Sequence, residues 1–106
     1  MSYRFMRVVV FFDLPVQTAR QRSEYTAFRK HLIKNGFIMM QESVYCKLAL
    51  NMSVVNAIME CVRKNKPPEG LVQMLVVTEK QFSRMEYVVG EFQSDIVSTD
   101  ERTVFL

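Results

Sequence analysis

Arg7-Val8-Val9-Val10-Phe11-Phe12-Asp13-Leu14-Pro15 is the stretch that decides how this chain is read. Val8 to Phe12 is an unbroken run of β-branched and aromatic residues, which specifies a central strand buried on both faces. The run ends in a single carboxylate, Asp13, and Pro15 then stops it, because proline has no N–H for a ladder and keeps the residue before it extended. A core strand thus carries one acid to its own end. Spacing alone leaves two readings of Asp13 open: a cap or turn residue at the start of the next helix, or the place where chemistry occurs.

Outward from this strand, which the pattern extends over Tyr3 to Phe12, Thr18 is an N-cap. A helix follows from Ala19 to Asn35, ended by Gly36. At 100° per residue Tyr25, Phe28 and Leu32 share the core stripe, Arg20, Lys30 and Lys34 lie nearly opposite, and Arg22 and Arg29 form a flanking row. Five basic residues against one acid, Glu24, favour phosphate contact over a merely solvated face. Phe37 to Gln41 and Ser43 to Ala49 read as two strands with about one residue between them, either a tight hairpin or a bulged continuous strand. Asn51 caps a second helix running to Lys66, with Met52, Val55, Ile58, Met59 and Val62 turned inward. Arg63, Lys64 and Lys66 in its last turn serve either the helix dipole or nucleic acid. Pro67-Pro68-Glu69-Gly70 ends it, and Leu71 to Thr78 is another apolar strand. Glu79 to Arg84 reads as a turn or short helix, Glu86 to Gly90 as an edge strand, and Thr103 to Leu106 as a terminal one.

The order strand, helix, strand, strand, helix, strand predicts an α+β fold, ferredoxin-like βαββαβ, with extra C-terminal strands. Residues 1–85 form the core and 86–106 a strand or tail for dimer and partner contacts, all within one domain. Both helices of such a plan cover one sheet face. The strands here barely alternate, so the other face also needs cover, and a second copy of the chain supplies it in a face-to-face homodimer. One carboxylate is a poor Mg²⁺ site, but two copies of Asp13 across a two-fold axis can share an ion.

Composition narrows the function further. The 106 residues are 49% apolar and 24% charged, the proportions of an ordinary globular domain. The net charge of +3 divides unevenly: residues 1–66 hold 11 Lys/Arg against 4 Asp/Glu (+7), and residues 67–106 hold 3 against 7 (−4). Such a division predicts a basic surface for a polyanion and an acidic end aimed elsewhere. Cys46 and Cys61 lack metal-site spacing and read as small buried residues, while the single histidine, His31, reads as a surface residue. That inventory argues against a zinc site or a Cys–His nucleophilic pair. Gly36, Gly70 and Gly90 are isolated, against a glycine-rich ligand loop and hence against a small-molecule regulator. No apolar run approaches the ~20 residues of a membrane span, and Met1-Ser2-Tyr3-Arg4 has no leader pattern, so the expectation is a cytoplasmic protein with no membrane partner.

Phe11-Phe12-Asp13-Leu14-Pro15 followed by Phe37-Ile38-Met39-Met40-Gln41-Glu42-Ser43-Val44-Tyr45 resembles the small, second universal CRISPR-associated (Cas) protein family, in its type II version. Thr78-Glu79-Lys80-Gln81-Phe82 and Glu101-Arg102 are similar to the same subgroup, so the resemblance spans nearly the whole chain. It implies a ferredoxin-like homodimer in spacer acquisition that bridges two integrase dimers and holds double-stranded DNA, the prespacer, for insertion into the repeat array. It also implies Mg²⁺- or Mn²⁺-dependent endonuclease activity on RNA or DNA in some members, with the metal-binding aspartate at Asp13, one from each protomer. Many members carry tyrosine where this chain has Phe12. The nucleic-acid contacts expected are Arg20, Arg22, Arg29, Lys30 and Lys34, then Arg63, Lys64 and Lys66. A DNA-bridging scaffold and a toxin-like metal-dependent nuclease differ in what loss of Asp13 does.

Overall fold

A computed structural model describes residues 5–91. Its elements are β1 (Met6–Asp13), α1 (Ala19–Lys34), β2 (Ile38–Gln41), β3 (Val44–Ala49), α2 (Met52–Lys64), β4 (Leu71–Thr78) and a short α3 (Glu79–Phe82). The four strands make one antiparallel sheet in the order β2-β3-β1-β4. This small α+β architecture is compatible with the ferredoxin-like plan.

The register follows from the apolar pattern of β1, which is central and pairs with β4 along its whole length. Val10 lies opposite Tyr45 on one side and Met74 on the other, and Phe12 lies opposite Val72. These alternate residues turn toward α1 and α2, where Phe28, Leu32, Val55, Ile58 and Val62 close the core over them. Phe12 is the hub: its ring meets Phe28 edge-on at 5.2 Å, stacks on Tyr45 at 5.6 Å and reaches Tyr25 at 6.0 Å. Burial of each large side chain here contributes about 1.5–3 kcal/mol.

Local chemistry sets the helix ends. The Thr18 hydroxyl accepts from the Gln21 N–H, and the Gln21 side chain accepts in return from the Thr18 N–H, a reciprocal cap on α1. At the other end the Gly36 N–H donates to the Ile33 carbonyl and the Phe37 N–H to that of Leu32. That Schellman closure requires the left-handed backbone Gly36 adopts, at φ +93°. Asn51 caps α2 by accepting from the Val54 N–H. The hairpin is a true one: Glu42 and Ser43 turn between two strands, with a register shift between Met39 and Gln41.

The second sheet face carries Arg7, Val9 and Phe11 of β1, with Val44, Cys46 and Leu48 of β3 and Gln73, Leu75 and Val77 of β4. The chain itself covers part of it. α3 folds back from β4 so that the Arg7 guanidinium, from Nε to Glu79 Oε1 at 2.7 Å and Nη2 to Oε2 at 3.1 Å, makes a bidentate pair and sits 4.4 Å from the Phe82 ring centre. Val9, on the central strand, is only 5% exposed, whereas Leu75, directly opposite it on the edge strand β4, is 51% exposed. Beside α3 a groove of about 300 Å³ runs between Phe11, Val44, Leu75, Phe82 and Met85.

Several expectations need correction. Glu86 to Gly90 forms no strand: it follows α3 as an exposed, irregular segment with no ladder partner among the described residues. The terminal strand expected at Thr103 to Leu106 lies outside the described residues, as do Tyr3 and Arg4 at the start. Met52 is exposed, because it is the first residue of α2 and overhangs the sheet. The second helix ends at Lys64 rather than Lys66, with Asn65 as its C-cap. Among the described residues no helix is long and apolar enough to cross a membrane.

Candidate functional site

Asp13 is the last residue of β1, exposed, opposite Leu71 at the start of β4. Thr18 takes the N-cap of α1, so Asp13 is not that helix's cap. Its carboxylate makes no hydrogen bond or ion pair among the described residues. The α2–β4 connection is pressed against the backbone just here. A Cβ on Gly70 would stand 2.7 Å from Leu14 Cδ2 and 3.0 Å from the Asp13 carbonyl oxygen, and Gly70 has φ +101°. Only glycine gives this approach without strain. The acid is thus fixed in place through its backbone while its oxygens stay open to solvent.

Among the described residues no group of three or more His, Cys, Asp or Glu side chains is placed to hold a metal ion. One hard carboxylate leaves most of an octahedral Mg²⁺ shell unfilled. Among the described residues, then, Asp13 by itself would leave such an ion's shell incomplete, while a second carboxylate beside it would fit the ion's preference for oxygen ligands.

The fold sorts the basic residues into two groups. α1 begins just after Asp13, and α2 ends just before Leu71, so the start of α1 and the end of α2 lie at the Asp13 end of the sheet. A hydrogen bond from Gln21 to Glu69, 3.1 Å, ties the start of α1 to the α2–β4 connection. Arg20 and Arg22 stand in the first turn of α1 and Arg63, Lys64 and Lys66 at or just past the end of α2, all exposed. Arg20 pairs with Glu24 at 3.3 Å and Arg63 with Glu60 at 2.9 Å, surface pairs that hold little energy against a phosphate. Arg22 folds back to donate to the carbonyls of Val16 and Gln17. Lys30 and Lys34 are exposed at the far end of α1, away from Asp13, and Arg29 is half-buried.

Other groups escaped sequence reasoning. Tyr45 is fully buried and its hydroxyl has no hydrogen-bond partner among the described residues; burial pushes the phenol up, and nearby Arg29 opposes the shift. Burial likewise pushes the Cys46 thiol up, while Arg7 Nη1, donating at 3.4 Å, opposes it. The Glu79 carboxylate holds the Arg7 guanidinium above its ordinary value. Cys61 is half-buried rather than buried, and half-buried His31, expected at the surface, faces it at 3.8 Å. Nothing in the sequence announces these contacts except the unusual charge at Arg7 beside an apolar run.

Residues 6–85 match the sequence model of the family described as CRISPR associated protein Cas2. The chain is 56% identical over 101 residues to a protein of Treponema denticola, covering 95% of this chain and 100% of that one, which is named CRISPR-associated endoribonuclease Cas2. Proteins of the same name from Streptococcus mutans serotype c and Ligilactobacillus salivarius are 48% and 40% identical, each over 95% of this chain and over 93% and 100% of their own lengths. The acid-tipped β1 and the Thr78-to-Phe82 segment that packs on Arg7 both fall within the matched span, and the chain belongs to the CRISPR-associated Cas2 family.

Proposed function

We propose that this chain acts in CRISPR adaptation as a homodimer that grips duplex DNA, the prespacer and the repeat array, and bridges integrase dimers. Phosphodiester hydrolysis from paired Asp13 residues is its secondary capability. The observation that carries the reading is the exposed Asp13 at a sheet end, together with the exposed basic residues Arg20 and Arg22 at the start of α1 and Arg63, Lys64 and Lys66 at or just past the end of α2. Lysines and arginines set along two helix ends contact phosphates without reading bases and release counterions as they bind. Such contact suits a protein that must hold DNA of any sequence. The relatives' name, endoribonuclease, supports a nuclease reading of the acid.

The Asp13 carboxylates of two protomers would hold Mg²⁺ or Mn²⁺, which would supply Lewis acidity toward a phosphodiester oxygen and a more acidic water. The protein's own part is to fix the carboxylate by the strand end and Gly70, and to hold the flanking phosphates. The still-apolar parts of the sheet face, around Leu75, support the pairing of two copies.

The test compares wild type and Asp13→Ala in two assays: spacer acquisition in cells, and cleavage of duplex DNA and of RNA with Mg²⁺ or with EDTA. Asp13→Ala is expected to keep acquisition while metal-dependent cleavage falls to the EDTA level. Loss of acquisition in a folded Asp13→Ala protein would overturn the scaffold reading in favour of an essential nuclease. Cleavage indifferent to both Asp13 and metal would remove Asp13 from any catalytic role.

A further inference from the structure

On the helical side of the sheet, away from Asp13, His31, Asn35, Lys47 and Cys61 meet in a groove of about 290 Å³. Its remaining walls, among them Phe37, Val54, Ile58 and Val62, are apolar. The hydrogen bonds in this corner determine which atom carries which proton. The Asn35 Nδ2 amide donates to the His31 carbonyl oxygen at 2.8 Å, which fixes the orientation of the amide. The same nitrogen faces His31 Nδ1 at 3.2 Å, so Nδ1 is the acceptor and the neutral ring carries its hydrogen on Nε2. Nε2 points at Cys61 Sγ, 3.8 Å away, and Asn35 Oδ1 lies 3.9 Å from the same sulfur.

A ring protonated at Nε2 cannot take the thiol proton. The arrangement is therefore not a proton-abstracting Cys–His–Asn triad, in which the amide oxygen would accept from the imidazole. It is instead a sulfur that faces a donor N–H, at the polar corner of an apolar groove. Lys47 adds a cation to that corner while donating to the Asn35 carbonyl.

We propose that Cys61 is a modification site, a thiol that exchanges with small disulfides bearing carboxylates. Cys61 gives its proton to solvent, and its sulfur attacks one sulfur of the disulfide while His31 Nε2–H steadies the charge. The new S–S bond forms as the old one breaks, and the electron pair leaves with the second sulfur, which takes up a proton. Cys61 is oxidised, and the small disulfide is reduced to one free thiol and one thiol bound to the protein. Lys47 favours a disulfide whose own charges are negative. Cys46, only 2% exposed beneath α3, is the internal control.

The experiment incubates the reduced full-length chain with oxidised glutathione and, separately, with cystamine, a cationic disulfide, and follows the adduct by intact mass and peptide mapping. The expected result is one adduct, on Cys61, formed faster with oxidised glutathione, and slowed about tenfold in His31→Gln. Lys47→Gln is expected to erase the preference between the two disulfides, and it carries the test alone if His31→Gln disturbs the helices. No adduct on Cys61 in the folded chain would overturn the proposal. So would an adduct on Cys46 in its place, or a preference that Lys47→Gln leaves unchanged.

Discussion

Tyr45 stacks on Phe12 in the middle of the core, yet its hydroxyl is buried without a partner among the described residues. An unsatisfied buried hydroxyl costs free energy that a hydrogen atom in its place does not. Tyr45→Phe keeps the ring and is expected to stabilise the chain by about 1 kcal/mol, read as a higher urea midpoint at an unchanged slope. Lower stability would show that the hydroxyl is satisfied in solution. Burial also raises the pKa values of Cys46 and Tyr45 above their ordinary 9.0 and 10.0. Over the window that opens at each ordinary value, the folded chain holds a proton that the unfolded chain has lost, so stability falls as pH rises. The melting temperature is therefore expected to decline from about pH 9.0, with Cys46 the first cause and Tyr45 joining above about 10.0. In Cys46→Ala the decline should begin only near the higher value. An unchanged onset in that variant would acquit Cys46.

The tightest constraint among the elements is the connection from α2 to β4. Gly70→Ala places a Cβ against Leu14 and the Asp13 carbonyl in a left-handed conformation, which is expected to cost about 1–3 kcal/mol by denaturant unfolding. A neutral result would mean that the connection lifts away from the strand end. Helix boundaries were legible where the code is local. Thr18 capped as its type and position predict, and the same Thr-x-x-Gln box recurs at Thr78 and Gln81 to start α3. Glu86 to Gly90 misled because β-propensity describes a fit to neighbouring strands, and among the described residues no strand neighbours Val88 and Val89. Met52 shares the helical angle of Val55 and Ile58, but angle alone does not say where the sheet beneath the helix stops.

In the whole molecule, the sheet face opposite the helices is where pairing of two copies is tested. Val9 is a poor probe, since its own chain already buries it and a lysine there would harm the monomer. Leu75→Lys, at a site 51% exposed, is expected to leave the monomer folded while shifting the oligomer to monomer in analytical ultracentrifugation. A folded dimer from this variant would mean that another surface pairs. The position of Asp13 was legible, because a core strand ends in it. How the basic residues of α1 and α2 stand relative to one another was not, because it depends on the path by which each helix returns over the sheet. Arg7 and Glu79, 72 residues apart, and His31 and Cys61, 30 apart, meet only through the completed topology.

The strand with which the chain begins its fold also guards against its own misassembly. Were β1 to slip by a single residue against β3 and β4, every side chain would change faces. Val8, Val10 and Phe12 would leave the helices for water, Arg7 would lose Glu79, and Asp13 would be carried toward the apolar interior. Stranding a carboxylate there is among the costliest errors a small domain can make. The acid that stands exposed in the native register therefore makes the neighbouring registers costly, and the fidelity of folding rests in part on this one side chain.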